Sequence, residues 1–296
     1  MEYRYTLHRI AMLIGILLVG LIPGCRRENP QVQVRVTVDR AQILPGQVLE
    51  MKYRFQTDPD FRAIPYRGTV FVHFIDPLDT LQFTDDHPPP KDTTAWQPGE
   101  TIEYTRYVII PDFLYPGTYR IEIGIYDPNG QHSRVPLRGG KEITRRSYEV
   151  AQIEVLPPPP FPQVQFREGW YDLEANPVDP VQRWRWTQKH AVVELVNPKR
   201  AARLFLKMEG NLKAFQDSPQ QVTLRLNGAE LETFTIDRPE PFIRMYALTP
   251  EQLGTEDYVR LEIEVDKTFV PAKLGMGQDT RELGVRVYHV VLQAIR

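Results

Sequence analysis

The residues of this chain whose types and spacing could do chemistry fall into two groups. The larger is aromatic and charged: Trp170, Tyr171, Glu174, Trp184, Arg185, Trp186, Asp279 and Arg281. Sugar rings present apolar C–H faces fringed by hydroxyls. A glycan site therefore needs exposed aromatic rings beside charged or amide hydrogen-bonding groups, and these eight residues supply both. On a strand the indoles of Trp184 and Trp186 share one face and Arg185 takes the other. The competing reading puts the tryptophans in a core and makes Asp279 and Arg281 an internal ion pair bracing a turn.

The smaller group is His73, Asp85, Asp86 and His87, since imidazole and carboxylate suit zinc or iron. Their spacing lacks the short helical or ribbon arrangement of hydrolytic metal motifs. A histidine in an apolar run reads more readily as a core histidine, and Asp86-His87-Pro88 as a turn. No metal and no cofactor is expected. For glycoside hydrolysis a cleft must hold two carboxyl groups about 5–9.5 Å apart, and Glu174 and Asp279 are the candidates to test. No Gly-x-Ser-x-Gly, Walker loop or dinucleotide fingerprint occurs, so the expectation is a chain that is not an enzyme.

Composition narrows the class. The 296 residues are 42% hydrophobic and 25% charged with a formal net charge of -2, which suggests neither disorder nor a nucleic-acid partner. With Cys25 as the single cysteine, no intrachain disulfide can staple the fold and a thiolate zinc site is excluded. The 27 prolines sit mostly between apolar runs, a pattern of short strands and rigid turns.

The N-terminus carries its own signal. Arg4, His8 and Arg9 make a basic start, and 10–22 is an apolar run shorter than the ~20 residues of a spanning helix. Leu21-Ile22-Pro23-Gly24-Cys25 closes that run and resembles the lipobox of bacterial lipoproteins. The resemblance implies that residues 1–24 are a signal peptide, that Cys25 carries lipid, and that 25–30 is a polar tether. An uncleaved anchor is the competing reading. Both place the remaining chain outside the cytoplasm, held to a membrane of the bacterial envelope.

The elements that must position the chemistry are strands. In 31–156, period-two alternation begins at Val32-x-Val34-x-Val36-x-Val38 and recurs about seven times between turns, as in an immunoglobulin-like sandwich. The run 69–75 is apolar on both faces and is placed in the middle of the sandwich. Val72-His73-Phe74, Asp86-His87-Pro88-Pro89, Trp96-Gln97-Pro98-Gly99-Glu100, and Pro116-Gly117-Thr118-Tyr119 with Gly124-Ile125-Tyr126-Asp127 together resemble an immunoglobulin-like module of bacterial envelope proteins. Such modules often accompany membrane glycosyltransferases or other surface-polysaccharide machinery, and the resemblance implies a binding or spacer role.

In residues 157–162, Pro-Pro-Pro-Pro-Phe-Pro, the five prolines lack backbone donors, and the run favours an extended helix of about 3.1 Å per residue. They read as a stiff spacer holding two domains apart. Beyond them, 163–296 holds eight or so alternating runs, with a hairpin at Asn227-Gly228 and one helical turn capped by Thr249. That pattern suggests a jelly-roll sandwich. Gly169-Trp170-Tyr171-x-x-Glu174, Trp184-Arg185-Trp186, 222–228, Phe269-Val270-Pro271-Ala272 and 279–285 resemble accessory β-sandwich domains of bacterial surface-glycan proteins, which look like carbohydrate-binding modules.

The fold expected is thus all-β, with an immunoglobulin-like and then a jelly-roll-like sandwich. The expected role is a non-catalytic envelope lipoprotein that binds surface glycan or an envelope protein of the polysaccharide machinery. The alternatives are a structural subunit of an envelope complex and, third, an envelope glycoside hydrolase.

Overall fold

The computed structural model describes residues 30–179 and 181–295, so the lipobox and Cys25 lie outside the described residues. The fold is all-β. No helix among the described residues is long and apolar enough to cross a membrane.

The first part of the chain forms β1 (Val32–Val38), β2 (Gln42–Ile43), β3 (Val48–Thr57), β4 (Thr69–Ile75) and β5 (Leu81–Thr84). It continues through β6 (Thr101–Ile109), β7 (Gly117–Tyr126), β8 (Leu137–Arg138), β9 (Lys141–Thr144) and β10 (Ser147–Val155). One sheet runs β6-β3-β1-β8, and the other runs β2-β10-β7-β4-β5 with β9 also on β10. That is the strand partition of an immunoglobulin-like sandwich, with first, second and fifth long strands facing the third, sixth and seventh. Alternation does the work: Val32, Val34 and Val36 are buried while the residues between them face solvent. The core includes Tyr53, Phe55, Trp96 and Tyr119. Strand β4 lies second from the edge, between β7 and β5, rather than at the centre of its sheet. Its outer face is partly covered: the Arg134 guanidinium lies over the buried Phe71 ring at 4.5 Å, while Thr69 and His73 stay half-buried.

The second part forms β11 (Val164–Phe166), β12 (Glu174–Ala175), β13 (Arg183–Trp186), β14 (His190–Val196) and β15 (Ala202–Glu209). Then come β16 (Gln221–Leu226), β17 (Ala229–Thr235), β18 (Phe242–Leu248), β19 (Tyr258–Val265) and β20 (Arg286–Ala294). The sheets run β11-β14-β19-β16-β17 and β12-β13-β20-β15-β18. Counting from β13 as the first of eight long strands, the two orders become first-eighth-third-sixth and second-seventh-fourth-fifth, which is a jelly roll. Asn227 and Gly228 turn the β16–β17 hairpin at φ 50 and 83. One helical turn, α1 (Pro250–Leu253), is held by a capping box between Thr249 and Gln252.

The proline run does not keep the two sandwiches apart. The outer face of β3 and β6 packs on the outer face of β15 and β20, with Val48, Phe205 and Val291 buried together against Tyr107 and Ile109. The reason is visible in β3, whose even-numbered residues point their backbone toward β1. Strand β1 pairs only as far as Met51, so the backbone of Val48 has no strand beside it. Gln293 fills the gap: its Oε1 accepts from Val48 N at 2.9 Å and its Nε2 donates to Val48 O at 2.8 Å. Arg203 Nη1 also meets Glu50 Oε2 at 2.6 Å, and the Tyr107 and Phe205 rings lie 5.6 Å apart.

Candidate functional site

The eight residues singled out from the sequence are split by strand β13 into two clusters. On the outer face of the sheet, Trp184 and Trp186 stand two residues apart, as the strand period requires. The Arg286 guanidinium sits at both indoles, 4.5 Å from the Trp184 ring and 4.7 Å from the Trp186 ring. Trp186 is buried, in T-shaped contact with Phe269 at 5.7 Å, and with Leu283 it forms a small core packed by Tyr171 and Phe215. Trp184 is half-buried and donates its Nε1 to Glu174 at 3.1 Å.

Arg185 takes the opposite side. Its guanidinium lies 4.8 Å from the Phe166 ring, while Phe166 meets Trp170 edge-on at 4.9 Å. Trp170 donates Nε1 to Val192 O at 2.7 Å. Trp170 and Arg185 therefore flank the open edge of the sandwich beside β11, away from Trp184. Tyr171 goes with the outer cluster, donating its hydroxyl to Glu282 O at 2.9 Å.

The acids of that cluster converge on one cation. Arg281 grips Asp279 through Nε at 3.1 Å and Nη2 at 2.7 Å. Its Nη1 lies 2.7 Å from Glu174 Oε1, a half-buried ion pair outside strict hydrogen-bond alignment. The same guanidinium lies 5.0 Å from the Tyr171 ring. The hydrogen bond from Arg281 holds the Asp279 carboxyl below its ordinary range. A general acid needs the opposite shift. Beside Trp184, Tyr288 bonds Glu209, and burial followed by that bond pushes its hydroxyl up to about 12. The aromatic rings and carboxylates of this face are thus largely satisfied by the chain's own arginines.

The second sequence group is likewise committed. His87 is buried between Asp85 O, 2.7 Å from Nδ1, and the Tyr104 hydroxyl, 2.9 Å from Nε2. Asp85 is held by Arg106 at 2.6 and 2.7 Å. His73 lies 3.9 Å from Asp86. Among the described residues no group of three or more His, Cys, Asp or Glu is arranged to hold a metal ion.

What sequence reading missed is the seam between the sandwiches. It encloses a cavity of about 160 Å³ lined by Arg40, Glu50, Tyr107, Arg203, Phe205 and Gln293. Its charges pair among themselves, Arg40 with Asp39 and Arg203 with Glu50. Farther along the second sandwich, Arg183 pairs with Asp112 of the first, while burial lowers the Lys207 ammonium and brings the His289 imidazole down to about 4. A signal was present: Leu204-Phe205-Leu206 and Val290-Val291-Leu292 are apolar at consecutive positions, the mark of strands covered on both faces.

No protein-family model matches this chain, and no curated protein matches it. Among solved structures it is similar to the β-glucuronidase of Bacteroides uniformis at 9% identity, covering 88% of this chain and 30% of that one, with a TM-score of 0.32. It is also similar to BtGH115A, a family GH115 4-O-methyl-α-glucuronidase specific for decorated arabinogalactans. There the identity is 12%, the coverage 52% of this chain and 20% of that one, and the TM-score 0.31. A third is the alkylpurine DNA glycosylase AlkC of Pseudomonas fluorescens, at 15% identity over 43% of this chain and 30% of that one, with a TM-score of 0.26. The chain spans less than a third of each of these proteins. Resemblances at this level carry no argument about what it does.

Proposed function

We propose that this chain is a non-catalytic lipoprotein of the bacterial cell envelope, tethered by lipid on Cys25, whose two sandwiches form one scaffold for an envelope partner. The observation that carries this reading is the Arg281 clamp. Both carboxylates that could do hydrolysis, Glu174 and Asp279, face one permanent cation, and the surrounding rings are stacked on arginines. Their charges are already paired by the chain's own arginine.

The placement of the tether supports the same reading. Pro30 lies at the Thr57 end of β3, where its carbonyl accepts from Arg138, and the seam lies at the Val48 end. Nine residue steps of strand at about 3.3 Å put roughly 30 Å between them.

A glycan-contact reading is favoured by one feature, the half-buried Trp184 and Tyr171 beside Glu174, Asp279 and Arg281. The two readings separate in one experiment. The lipidated chain is used to retain envelope components, and the bound fraction is washed with free envelope sugars. The scaffold reading expects a protein that survives the wash. Release by sugar, lost on Trp184→Ala, would replace it with the glycan reading, and turnover of a glycan lost on Glu174→Gln would overturn both.

A further inference from the structure

We propose that the cavity enclosed by the seam binds a small organic acid, with its carboxylate held by Arg40 and Arg203 and its short aliphatic part against Val48 and Phe205. The inference goes beyond the scaffold reading and stands on the seam alone. Both sandwiches build the walls: Arg40, Glu50 and Tyr107 come from the first, and Arg203, Phe205 and Gln293 from the second. The volume of about 160 Å³ is below the ~300–1,000 Å³ of sites for drug-sized ligands. A molecule of a few carbons is what such a space takes.

Hydrogen-bonding capacity sets the chemistry of the occupant. The acceptors are taken. Asp39 Oδ2 receives Arg40 Nε at 2.8 Å and Nη2 at 2.7 Å, and its Oδ1 receives Glu50 N at 2.9 Å. Glu50 Oε2 receives Arg203 Nη1 at 2.6 Å, with the Lys52 ammonium 3.3 Å from Oε1, and Gln293 Oε1 is used by Val48 N. The donors are not used up. Arg40 Nη1, Arg203 Nε and Nη2, and the Tyr107 hydroxyl make no hydrogen bond among the described residues. Gln293 Nε2 spends one of its two N–H groups on Val48 O.

Arg40 matters most, because only 8% of its side chain is exposed. Its Nη1 is nonetheless not among the unpartnered atoms sealed inside the protein, so it opens on the space that the side chain lines. An oxyanion placed there accepts charge-assisted bonds from guanidinium groups that are otherwise left with unspent N–H. The lining charges cancel in pairs, Arg40 with Asp39 and Arg203 with Glu50, so recognition falls to those spare donors. Opposite them Val48 and Phe205 are buried in one apolar cluster. Inorganic phosphate would meet the arginines and leave that apolar wall uncovered, and a sugar would bring further donors where acceptors are wanted. A carboxylate with a short aliphatic tail matches both halves.

The test is isothermal titration calorimetry on the full chain with butyrate, its neutral isostere butyramide, and inorganic phosphate. Saturable binding of butyrate is expected, about tenfold tighter than that of butyramide. Arg40→Gln and Arg203→Gln should each bring that ratio toward one, which a merely loosened seam would not do, and either variant reads the site if the other fails to fold. Arg35→Gln, which removes an exposed cation of β1 outside the cavity, should leave the ratio unchanged. Because both sandwiches line the cavity, saturating butyrate should also slow amide exchange in β7 and β14 alike. Absence of saturable binding, equal affinity for butyrate and butyramide, a ratio indifferent to both arginine variants, or slowing confined to one sandwich overturns the proposal. Phosphate bound as tightly as butyrate, with the same residue dependence, also overturns it and makes the cavity a plain oxyanion site. None of these outcomes bears on the scaffold reading, which the sugar wash tests separately.

Discussion

The two ends of one sheet face, the outer side of β12-β13-β20-β15-β18, solve the same problem differently. Each carries large apolar groups on the side away from its own core. At the β13 end they are covered locally, by Arg286 over Trp184 and Trp186, Arg281 over Tyr171, and the loops bearing Phe215 and Phe269. At the β15 end Phe205 and Val291 are covered by the other sandwich. The first arrangement needs only nearby sequence, whereas the second needs the two sandwiches to be docked. Rings sealed by their own cations have little left to offer a ligand.

Removing the cover at each end should cost different amounts. The largest loss is expected from Trp186→Ala, which empties a buried indole site at the β13 end and should lower stability by about 3–5 kcal/mol in denaturant titration. Gln293→Ala strips both partners from the Val48 backbone and should cost about 2–3 kcal/mol, with a change in slope if the sandwiches separate.

The seam also sets a pH dependence. Burial, then the nearby Lys207 charge, hold His289 at about 4 against an ordinary 6.5, with Asp112 opposing and Arg183 reinforcing the shift. Between those values the unfolded chain takes up a proton that the folded chain refuses. The contribution is complete above about pH 6.5 and falls away as pH drops toward 4. Urea midpoints against pH should show this slope, and His289→Gln should flatten it. Smallest of all, Arg286→Gln removes a guanidinium from two indoles and should cost about 1–2 kcal/mol, seen as a shifted tryptophan emission as well as a lower midpoint.

Much of this architecture is written in local pattern. The alternation of Val32, Val34 and Val36 gives β1, the runs 242–248 and 258–265 coincide with β18 and β19, and Asn227-Gly228 gives its hairpin because both residues accept positive φ. Trp184 and Trp186 share a face for the same period-two reason. Other features are long-range and have no local signature. Arg286 is about a hundred positions from the indoles it covers. Nothing near Gln293 in sequence announces that it will complete a strand 245 residues away. The proline run shows the opposite failure: stiffness could be read from its composition, but not the direction it takes, and the direction decides whether two domains part or dock.

Hydrogen exchange resolved to single amides tests the docked scaffold most directly. The slowest amides of β7 and β10 in one sandwich, and of β14 and β19 in the other, report the opening of each. If the seam joins them, both sets share one opening free energy in the native chain and separate into two in Gln293→Ala. Two distinct values in the native chain, unmoved by that substitution, would mean that the sandwiches open independently and that the seam holds nothing together.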